Sequence, residues 1–505
     1  MYADENVIKI KHDVLYEVAK LAFAGELEEK KDYIANQLIP GPTAQFRCCI
    51  YKEREIIRQR VRLAEGKAPG PVDDGNVIQV ISSACEDCPI SSYTVTENCQ
   101  NCLGKACINA CKFGAIEPGR LRSHIDPQKC KECGKCAQAC PYNAIAHLKR
   151  PCKFSCPVNA ITYDEYGISV IDEKKCIRCG KCIHSCPFGA IGSKTYIVKV
   201  VEALKSNKKV YAMAAPATEG QFGDDITMNS WKKAMEAVGF DGFFEVGLGG
   251  DMTAAYEAEE WAEAYKEGKK KVTSCCPAFV NMVRRHFPEL ADNISTTISP
   301  MAAVSRLIKA KDPEAVTVFI GPCIAKKSEV EDQKIEGNAD YVLTYSEIRA
   351  IMKAKSVALE PDENSYQESS VYGKRFANAG GVTAAVLQSL KESEDEIDAK
   401  MKEYTDKYTM KTDRIDSVRE QAKYEVGLEK FLAANGIGAF ADTFQDLHGL
   451  KQLPGIAAQN LMAKGIGFGP EGDYKISALS AVLMKMSEGK EGATGFIEDY
   501  TYDLT

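Results

Sequence analysis

The chain has 505 residues, of which 45% are apolar and 27% charged, and its formal net charge at pH 7 is −7. This length exceeds what one hydrophobic core supports, and the acidic balance argues against nucleic acid as a partner. No apolar run is long enough to span a membrane and no signal core opens the sequence, so we expect a cytoplasmic protein with no membrane partner.

The first 80 residues are predicted to form a mainly helical N-terminal region. This region contains "CCIYKERE" at residues 48–55. Its two cysteines, Cys48 and Cys49, have no evident role, and buried packing is as good an explanation for them as contact with a cluster.

Residues 81–195 hold sixteen of the 21 cysteines, between Cys85 and Cys186. The cytoplasm keeps thiols reduced, so this density indicates metal rather than disulfides. Two runs have the bacterial ferredoxin spacing C-x2-C-x2-C-x3-C-P, in which three thiolates hold one cube and the fourth reaches the other cube of a pair. The runs are Cys130, Cys133, Cys136 and Cys140, and Cys176, Cys179, Cys182 and Cys186.

The other cysteines of this region are spaced less regularly. They are Cys99, Cys102, Cys107 and Cys111, then Cys152 and Cys156 in "CKFSCP", and Cys85 and Cys88 in "CEDC". The repeats "CPYNAI", "CPVNAI" and "CPFGAI" indicate a duplicated ferredoxin-like unit. The two regular runs predict two 4Fe–4S clusters, the third run predicts another, and the thiol count allows four. Structural zinc is the alternative, and it is strongest for Cys85 and Cys88.

A series of clusters transfers single electrons, so a redox site is expected downstream. Residues 196–393 alternate strand and helix patterns, which predicts a parallel α/β sheet. The predicted strands are "KKVYAMAAPA", "DGFFEVGLGG", "KKVTSCC" and "EAVTVFIGPC", and a helix is predicted over 252–267. Ligands bind at the carboxyl ends of such strands, where Cys275, Cys276 and Cys323 lie. The "GLGG" at 247–250 is either a strand-to-helix turn or a weak phosphate-loop candidate.

Two of these segments, "TSCCPAFV" and "GPCIAKKSE", resemble the first two signature loops of iron-only (FeFe) hydrogenases. Supporting segments are "CCIYKERE", "APA" at 215–217, "SPM" at 299–301 and "FANAGGVTAAV" at 376–386, so the resemblance covers about residues 40–393. It implies an active site in which a 4Fe–4S cube is joined through a cysteine sulfur to a two-iron unit carrying CO and cyanide. It also implies protons and H2 as reactants, and ferredoxin or another one-electron carrier as partner.

The same resemblance implies roles for individual residues. Cys276 and Cys323 would be cube ligands, Cys275 would deliver protons to the open iron position, and Lys326 would donate a hydrogen bond to a cyanide. The implied proton path consists of Glu257, Ser295, Glu260 and Glu329. For its glutamates the alternative is an ordinary solvated helix face, since "YEAEEWAEAYKEG" also reads that way.

The chain departs from the family at the third signature loop. That loop should supply two cysteines after "FANAGGVTAAV", but no cysteine follows Cys323 through residue 505. Two functions from different classes therefore stay open. One is an iron–sulfur oxidoreductase of the hydrogenase type, and the other is a 4Fe–4S electron-transfer or redox-sensing protein that makes no hydrogen.

Residues 394–505 are predicted to form a helix-rich C-terminal fragment. "GIGAFADTFQDLHGLKQLPGIAAQNLMAKGIGFGPEGDYKISAL" and "GFIEDYTY" resemble the middle of L-arabinose isomerase. Its metal-binding glutamates, usually on manganese, would correspond to Glu471 and Glu498, whereas its histidine ligands have no counterpart and His448 is not one of them. Two carboxylates alone more often form a hydrated acidic surface than a metal site, so isomerase activity is not expected.

Overall fold

The computed structural model describes residues 5–86, 88, 92–223, 225–332, 334–362, 369–378, 381–434, 437–441, 454–469 and 474–486. The chain divides into two compact units, Met1–Val386 and Leu387–Thr505. Within the described ranges, no helix is both long enough and apolar enough to cross a membrane.

The first unit combines helices, a parallel sheet and several two-stranded antiparallel sheets. Its described helices are α1 (Glu5–Ala24), α2 (Leu27–Leu38), α3 (Ile50–Ala64), α4 (Ser82–Cys85), α5 (Ala106–Ala110), α6 (Lys135–Ala139), α7 (Pro151–Ser155), α8 (Lys181–Ser185), α9 (Ile197–Lys205), α10 (Met228–Val238), α11 (Val246–Lys266), α12 (Pro277–His286), α13 (Pro300–Lys311), α14 (Ala325–Val330), α15 (Tyr345–Ala354) and α16 (Val371–Lys374). Its described strands are β1 (Ile78–Val80), β2 (Ser92–Val95), β3 (Ile116–Glu117), β4 (His124–Ile125), β5 (Ile145–Leu148), β6 (Ile161–Tyr163), β7 (Ser169–Ile171), β8 (Ile191–Ser193), β9 (Val210–Ala214), β10 (Gly242–Glu245), β11 (Val316–Ile320) and β12 (Tyr341–Leu343).

The parallel sheet has the strand order β10-β9-β11-β12, which confirms the predicted parallel α/β arrangement. Strands β9 and β11 are apolar on both faces, as central parallel strands covered by helices must be. The segment "KKVTSCC" was predicted as a further strand, and this is wrong. It forms only an isolated parallel bridge between Val272 and Ile294, because it contains a single apolar residue before its cysteines.

The glycine-rich segment 247–250 belongs to α11, which begins at Val246 directly after β10. The two predictions for this segment, a strand-to-helix turn and a phosphate loop, are therefore both wrong. Gly249 lies where α11 meets α13, and a Cβ on it would stand 2.2 Å from the carbonyl oxygen of Pro300. The glycine allows two helices to approach more closely than any side chain would permit.

The cysteine-rich region consists of one ferredoxin-like unit inserted into another. In what we call the outer unit, β1 pairs with β8 and β6 pairs with β7. In the inner unit, residues 92–148, β2 pairs with β5 and β3 pairs with β4. The inner unit lies between α4 and α7 of the outer one. Its first and last strands pair with each other, so its ends are adjacent, and a unit of this kind can be inserted into a loop at little cost.

The three N-terminal helices pack against one another and against helices that lie beside the parallel sheet. Helices α1, α2 and α3 share a core that includes Val18, Ile34 and Ile57, and α1 also packs against α9 and α15. The N-terminal region therefore shares its core with the layer of helices beside the parallel sheet.

The second unit contains helices and a short parallel strand pair. Helix α17 (Gly381–Lys407) leads into it, and its other described elements are α18 (Ile415–Ala434), β13 (Ala439–Ala441), α19 (Gly455–Ala463), β14 (Gly467–Gly469) and α20 (Tyr474–Met486). Its centre is the fully buried Glu425, which accepts hydrogen bonds from the Tyr404 hydroxyl at 2.7 Å and from Asn460 Nδ2 at 2.8 Å. Glu471, Glu498 and His448 lie outside the described residues.

We expect Gly249→Ala to destabilise the packing of α11 on α13 by about 1–3 kcal/mol, because the new methyl group overlaps backbone that cannot swing away. Gly427→Ala in α18 is the matched control, since no atom lies within 4 Å of its Cβ position. Replacing glycine by alanine in a helix interior stabilises the helix by up to about 1 kcal/mol. Hydrogen exchange of peptides from α11 and α18 measures both effects, and equal protection of α11 in wild type and Gly249→Ala would contradict the close approach.

Candidate functional site

The cysteines of the two ferredoxin-like units gather in fours around cavities. Three cavities in the described residues are each lined by four cysteines. Set A consists of Cys111, Cys130, Cys133 and Cys136. Set B consists of Cys156, Cys176, Cys179 and Cys182. Set C consists of Cys85, Cys88, Cys152 and Cys186.

Each set combines cysteines from two places in the chain. The first three cysteines of a regular run share a cavity, and the last cysteine of the preceding run completes the set. Set C shows that "CEDC" and "CKFSCP" together form one run, which the inner unit divides. Removing the twelve cysteines of these sets from the sixteen leaves set D, which is Cys99, Cys102, Cys107 and Cys140. Cys107 and Cys140 pack against the same apolar cluster, beside Ile116 and Ile145.

The repeated motif C-P-x-x-A-I has a structural explanation. Its alanine donates a backbone hydrogen bond to the sulfur of its cysteine: Ala144 to Cys140 at 3.5 Å, Ala160 to Cys156 at 3.3 Å, and Ala190 to Cys186 at 3.3 Å. The turn requires a positive φ just before the alanine, and Asn143, Asn159 and Gly189 have φ values of 49°, 50° and 59°. Asparagine and glycine are the residues that adopt this conformation most readily.

These sets fit iron–sulfur cubes. Among the described residues, no three His, Cys, Asp or Glu side chains converge closely enough to hold one metal ion. Sets A, B and C instead each have four thiols around a shared cavity, with backbone N–H groups directed at sulfur. Bound there, a 4Fe–4S cluster supplies reversible one-electron transfer. Burial raises the pKa of Cys182 to about 12 and also raises that of Cys176, so the free thiols hold protons that cluster assembly must release.

A buried arginine accompanies set C. Arg60 on α3 donates from Nη2 to the carbonyl oxygen of Gly189 at 2.6 Å. Burial lowers the pKa of its guanidinium to about 10, and the nearby Cys186 thiolate partly offsets that effect. An anionic cluster on Cys186 therefore has a desolvated positive charge beside it.

The second site lies at the carboxyl end of β11 and at the start of α12. Cys276 is the N-cap residue of α12, and Cys323 lies between β11 and α14. Backbone N–H groups of Lys326 and Ala325 donate to the Cys323 sulfur, although burial is the main influence and raises the pKa of this thiol. The charge of Cys276 acts on both Cys275 and Cys323, so the three cysteines share one neighbourhood.

Lys326 and Glu329 form a buried pair beside these cysteines. The Lys326 Nζ atom lies 2.6 Å from Glu329 Oε2, and the Ser299 hydroxyl donates to the other oxygen of this carboxylate. The positive charge of Lys326 lowers the pKa values of Cys275 and Cys323, but burial outweighs it and both values are raised. Glu329 therefore contacts Lys326 rather than the other residues of the implied proton path.

The rest of that path runs from α11 to the loop before α13. Ser274 N donates to Glu257 Oε1 at 3.1 Å, and the second oxygen of this fully buried carboxyl has no hydrogen-bond partner among the residues that the structure describes. Burial raises the pKa of Glu257. Ser295 Oγ donates to Glu260 Oε2 at 2.5 Å, and Lys271 Nζ lies 2.8 Å from Glu260 Oε1. Glu257 and Glu260 are therefore packed and hydrogen-bonded rather than a solvated helix face.

Two features of the site were missed by the sequence reasoning. Cys48 and Cys49 are exposed, so buried packing is wrong for them. The joining of Cys85 and Cys88 to Cys152 was also missed. A signal for it existed, because "CKFSCP" has the C-x3-C-P end of a ferredoxin run and lacks only the C-x2-C beginning, which stands upstream.

Family models match three segments of the chain. Residues 208–454 match the iron only hydrogenase large subunit, C-terminal domain. Residues 146–197 match the LdpA Fe-S cluster-binding domain, and residues 123–146 match a 4Fe-4S binding domain. The hydrogenase match continues past residue 393, where the sequence resemblance was expected to end.

Curated relatives of this chain include L-arabinose isomerases, each matching a quarter of the chain or less. L-arabinose isomerase from Clostridium beijerinckii is 52% identical over 113 residues, which is 22% of this chain and 23% of that protein. The enzymes from Salmonella arizonae and Thermotoga neapolitana are 47% identical over 130 residues and 48% identical over 114 residues, or 25% and 22% of this chain. The chain thus spans 26% and 23% of the length of these two relatives.

We expect Arg60→Gln to make the reduction potential of the set C cluster more negative, because a desolvated positive charge favours the extra electron. Arg58→Gln is the matched control on the same helix, where the side chain is exposed and pairs with Glu55. A redox titration followed by electron paramagnetic resonance measures the shift. An unchanged potential in Arg60→Gln protein that retains its full iron content would contradict this electrostatic role.

Proposed function

We propose that this protein is an iron–sulfur oxidoreductase that passes single electrons through four 4Fe–4S clusters toward a hydrogenase-type site. The observation that carries the proposal is the gathering of cysteines in fours around three cavities, which leaves one further set of four. The matches to iron–sulfur and iron-only hydrogenase domains support it.

The packing around set B supports an electron path to the second site. Ile324, which follows Cys323, packs in the same apolar cluster as Cys176 and Cys182. Arg285 on α12, the helix that Cys276 caps, donates to the carbonyl oxygen of Cys176 at 2.5 Å. Set B thus contacts elements that present both Cys276 and Cys323. It would be the last ferredoxin-type cluster before the terminal site.

The terminal site would bind protons and, in the hydrogenase family, combine them with electrons to give H2. A cube with an attached two-iron unit would supply that chemistry. This chain contributes two thiols for the cube, Cys276 and Cys323, a third thiol at Cys275, and the buried Lys326. Glu257, Ser295 and Glu260 would hold and move protons behind Cys275.

The thiol count limits this site. A cube requires four ligands, and the chain offers Cys276 and Cys323 with only Cys275 beside them. Recruiting Cys275 would remove the proton-delivering thiol, and no sulfur would remain to join the two-iron unit. This favours the second candidate, an electron-transfer or redox-sensing protein without hydrogen turnover. Ferredoxin or another one-electron carrier is the proposed partner in either case. We propose no isomerase function, because its metal site would depend on Glu471 and Glu498 alone.

We expect the anaerobically reconstituted protein to hold about 16 irons, and Cys88→Ala or Cys133→Ala to remove about four of them, because each set carries one cube. Cys48→Ala should retain its iron, since Cys48 is exposed and lies in none of the four sets. Iron, sulfide and zinc analysis measures the result. Zinc lost from Cys88→Ala at constant iron would assign Cys85 and Cys88 to structural zinc instead.

We expect the protein to evolve no H2 above background with reduced methyl viologen, even after exposure to the machinery that builds the two-iron unit. The reason is the missing pair of thiols. Gas chromatography measures H2, and infrared spectroscopy tests for bound CO and cyanide. Sustained H2 production that survives in Cys48→Ala and is lost in Cys276→Ala would show that other ligands complete the cube.

A further inference from the structure

We propose that the inner ferredoxin-like unit presents a docking patch for an acidic, one-electron carrier protein. We define the insert patch as Leu103, Arg120, Leu121 and Arg122. This inference rests on the proposed electron-transfer function, and it specifies where electrons enter and what chemistry their donor has.

The insert patch is apolar and exposed at its centre. The side chain of Leu103 is 99% exposed and that of Leu121 is 82% exposed. The loops that carry them are joined by Asn101, whose Nδ2 atom donates to the carbonyl oxygens of Gly119 and Arg120 at 3.3 Å each. Two large aliphatic side chains in water on adjoining, hydrogen-bonded loops form a surface suited to a partner.

The charge around the insert patch is opposite to that of the whole protein. The inner unit, residues 92–148, contains seven lysines and arginines against four aspartates and glutamates, whereas the chain has 64 against 71. Arg120 and Arg122 make no ion pair among the described residues. The nearest acids in sequence are Glu117 and Asp126, and both lie beside Lys129, at 3.4 Å and 3.3 Å. The leucines therefore have a positive rim in a protein that is otherwise acidic.

The insert patch lies next to two cysteines of set D, Cys99 and Cys102. The backbone N–H groups of Ser123 and Asn101 donate to the sulfur of Cys99 in set D, and the charges of Lys105 and Arg122 act on the same thiol. Cys102 immediately precedes Leu103. A protein docked on the two leucines would place its redox centre close to the set D cluster, and electron transfer requires such proximity.

The chemistry of the insert patch selects its occupant. A positive rim accelerates association with a negatively charged protein and opposes association with a positive one. A small apolar centre within a charged rim is typical of weak, rapidly exchanging redox encounters rather than of permanent complexes. The fitting partner is therefore a small acidic carrier of single electrons, such as a ferredoxin with exposed carboxylates around its cluster.

The test compares two reductants of the reconstituted full-length protein. Stopped-flow bleaching of cluster absorbance follows reduction by a reduced acidic bacterial ferredoxin and, separately, by reduced methyl viologen. In the R120E/R122E double variant we expect the ferredoxin rate to fall at least about ten-fold at low ionic strength, because steering is lost. The difference should shrink as salt is added. Reduction by the dye should keep its wild-type rate.

Lys208→Glu is the matched control, because it reverses an exposed charge just before β9, outside the inner unit. Leu121→Ser tests the apolar centre without changing charge, and it also serves if the double variant loses iron. Wild-type ferredoxin rates in both Leu121→Ser and R120E/R122E, or an equal loss in Lys208→Glu, would overturn the docking site. A wild-type protein whose clusters the dye cannot reduce would instead overturn the proposed electron-transfer function.

Discussion

The number of thiolates that an iron–sulfur cube requires governs the architecture of the first unit. A short turn can place three cysteines around one face of a cube, but the fourth must come from another segment. The last cysteine of a run therefore completes a neighbouring set, as Cys111 does for set A and Cys186 for set C. The exchange links two runs into one folded unit. It also explains how the inner unit can interrupt the outer one between Cys88 and Cys152, since the ligands need proximity in space and not in sequence.

A buried ion pair holds the cysteine-rich region against the sheet domain. The Lys327 side chain is completely buried, and its Nζ lies 2.5 Å from Glu347 on α15 and 2.8 Å from the carbonyl oxygen of Lys194. Lys194 directly follows β8, the last strand of the outer unit. Losing one partner of a buried pair costs about 3–5 kcal/mol, because the remaining charge is left unsolvated. Lys327 thus ties α14, the helix that follows Cys323, to the end of β8 in the outer unit.

The sequence predicted the parts of this fold whose pattern is local. The strands β9 and β11 are continuous apolar runs, and the regular cysteine runs have a fixed spacing, so both could be identified from a few residues. Set C could not, because its two halves are separated by a complete folded unit and nothing local pairs them. The first turns of α11 were also misassigned, since glycines at 247–250 indicate a loop unless the close approach of Pro300 is known. Val272 illustrates the opposite case, in which one apolar residue before two cysteines was too little to support a strand.

The proposed terminal site has side chains that could handle protons, but it lacks some of the thiols that a cube requires. Glu257 is buried, and among the described residues one of its oxygens has no hydrogen-bond partner. Ser295 donates to Glu260, and the charge of Lys326 acts on Cys275, so the groups to which the proposal gives proton transfer and anion binding lie near the cysteines. Set B lies against the loop of Cys323, and under the proposed function this packing would give electrons a route to the site. Up to residue 505, the sequence does not supply the remaining pair of thiols for the cube. Burial of charged and titratable groups such as Lys326 and Glu257 costs free energy, and stability alone does not explain why they are retained. The proposed function supplies a reason for retaining them, since a site that handles protons and anions needs both groups.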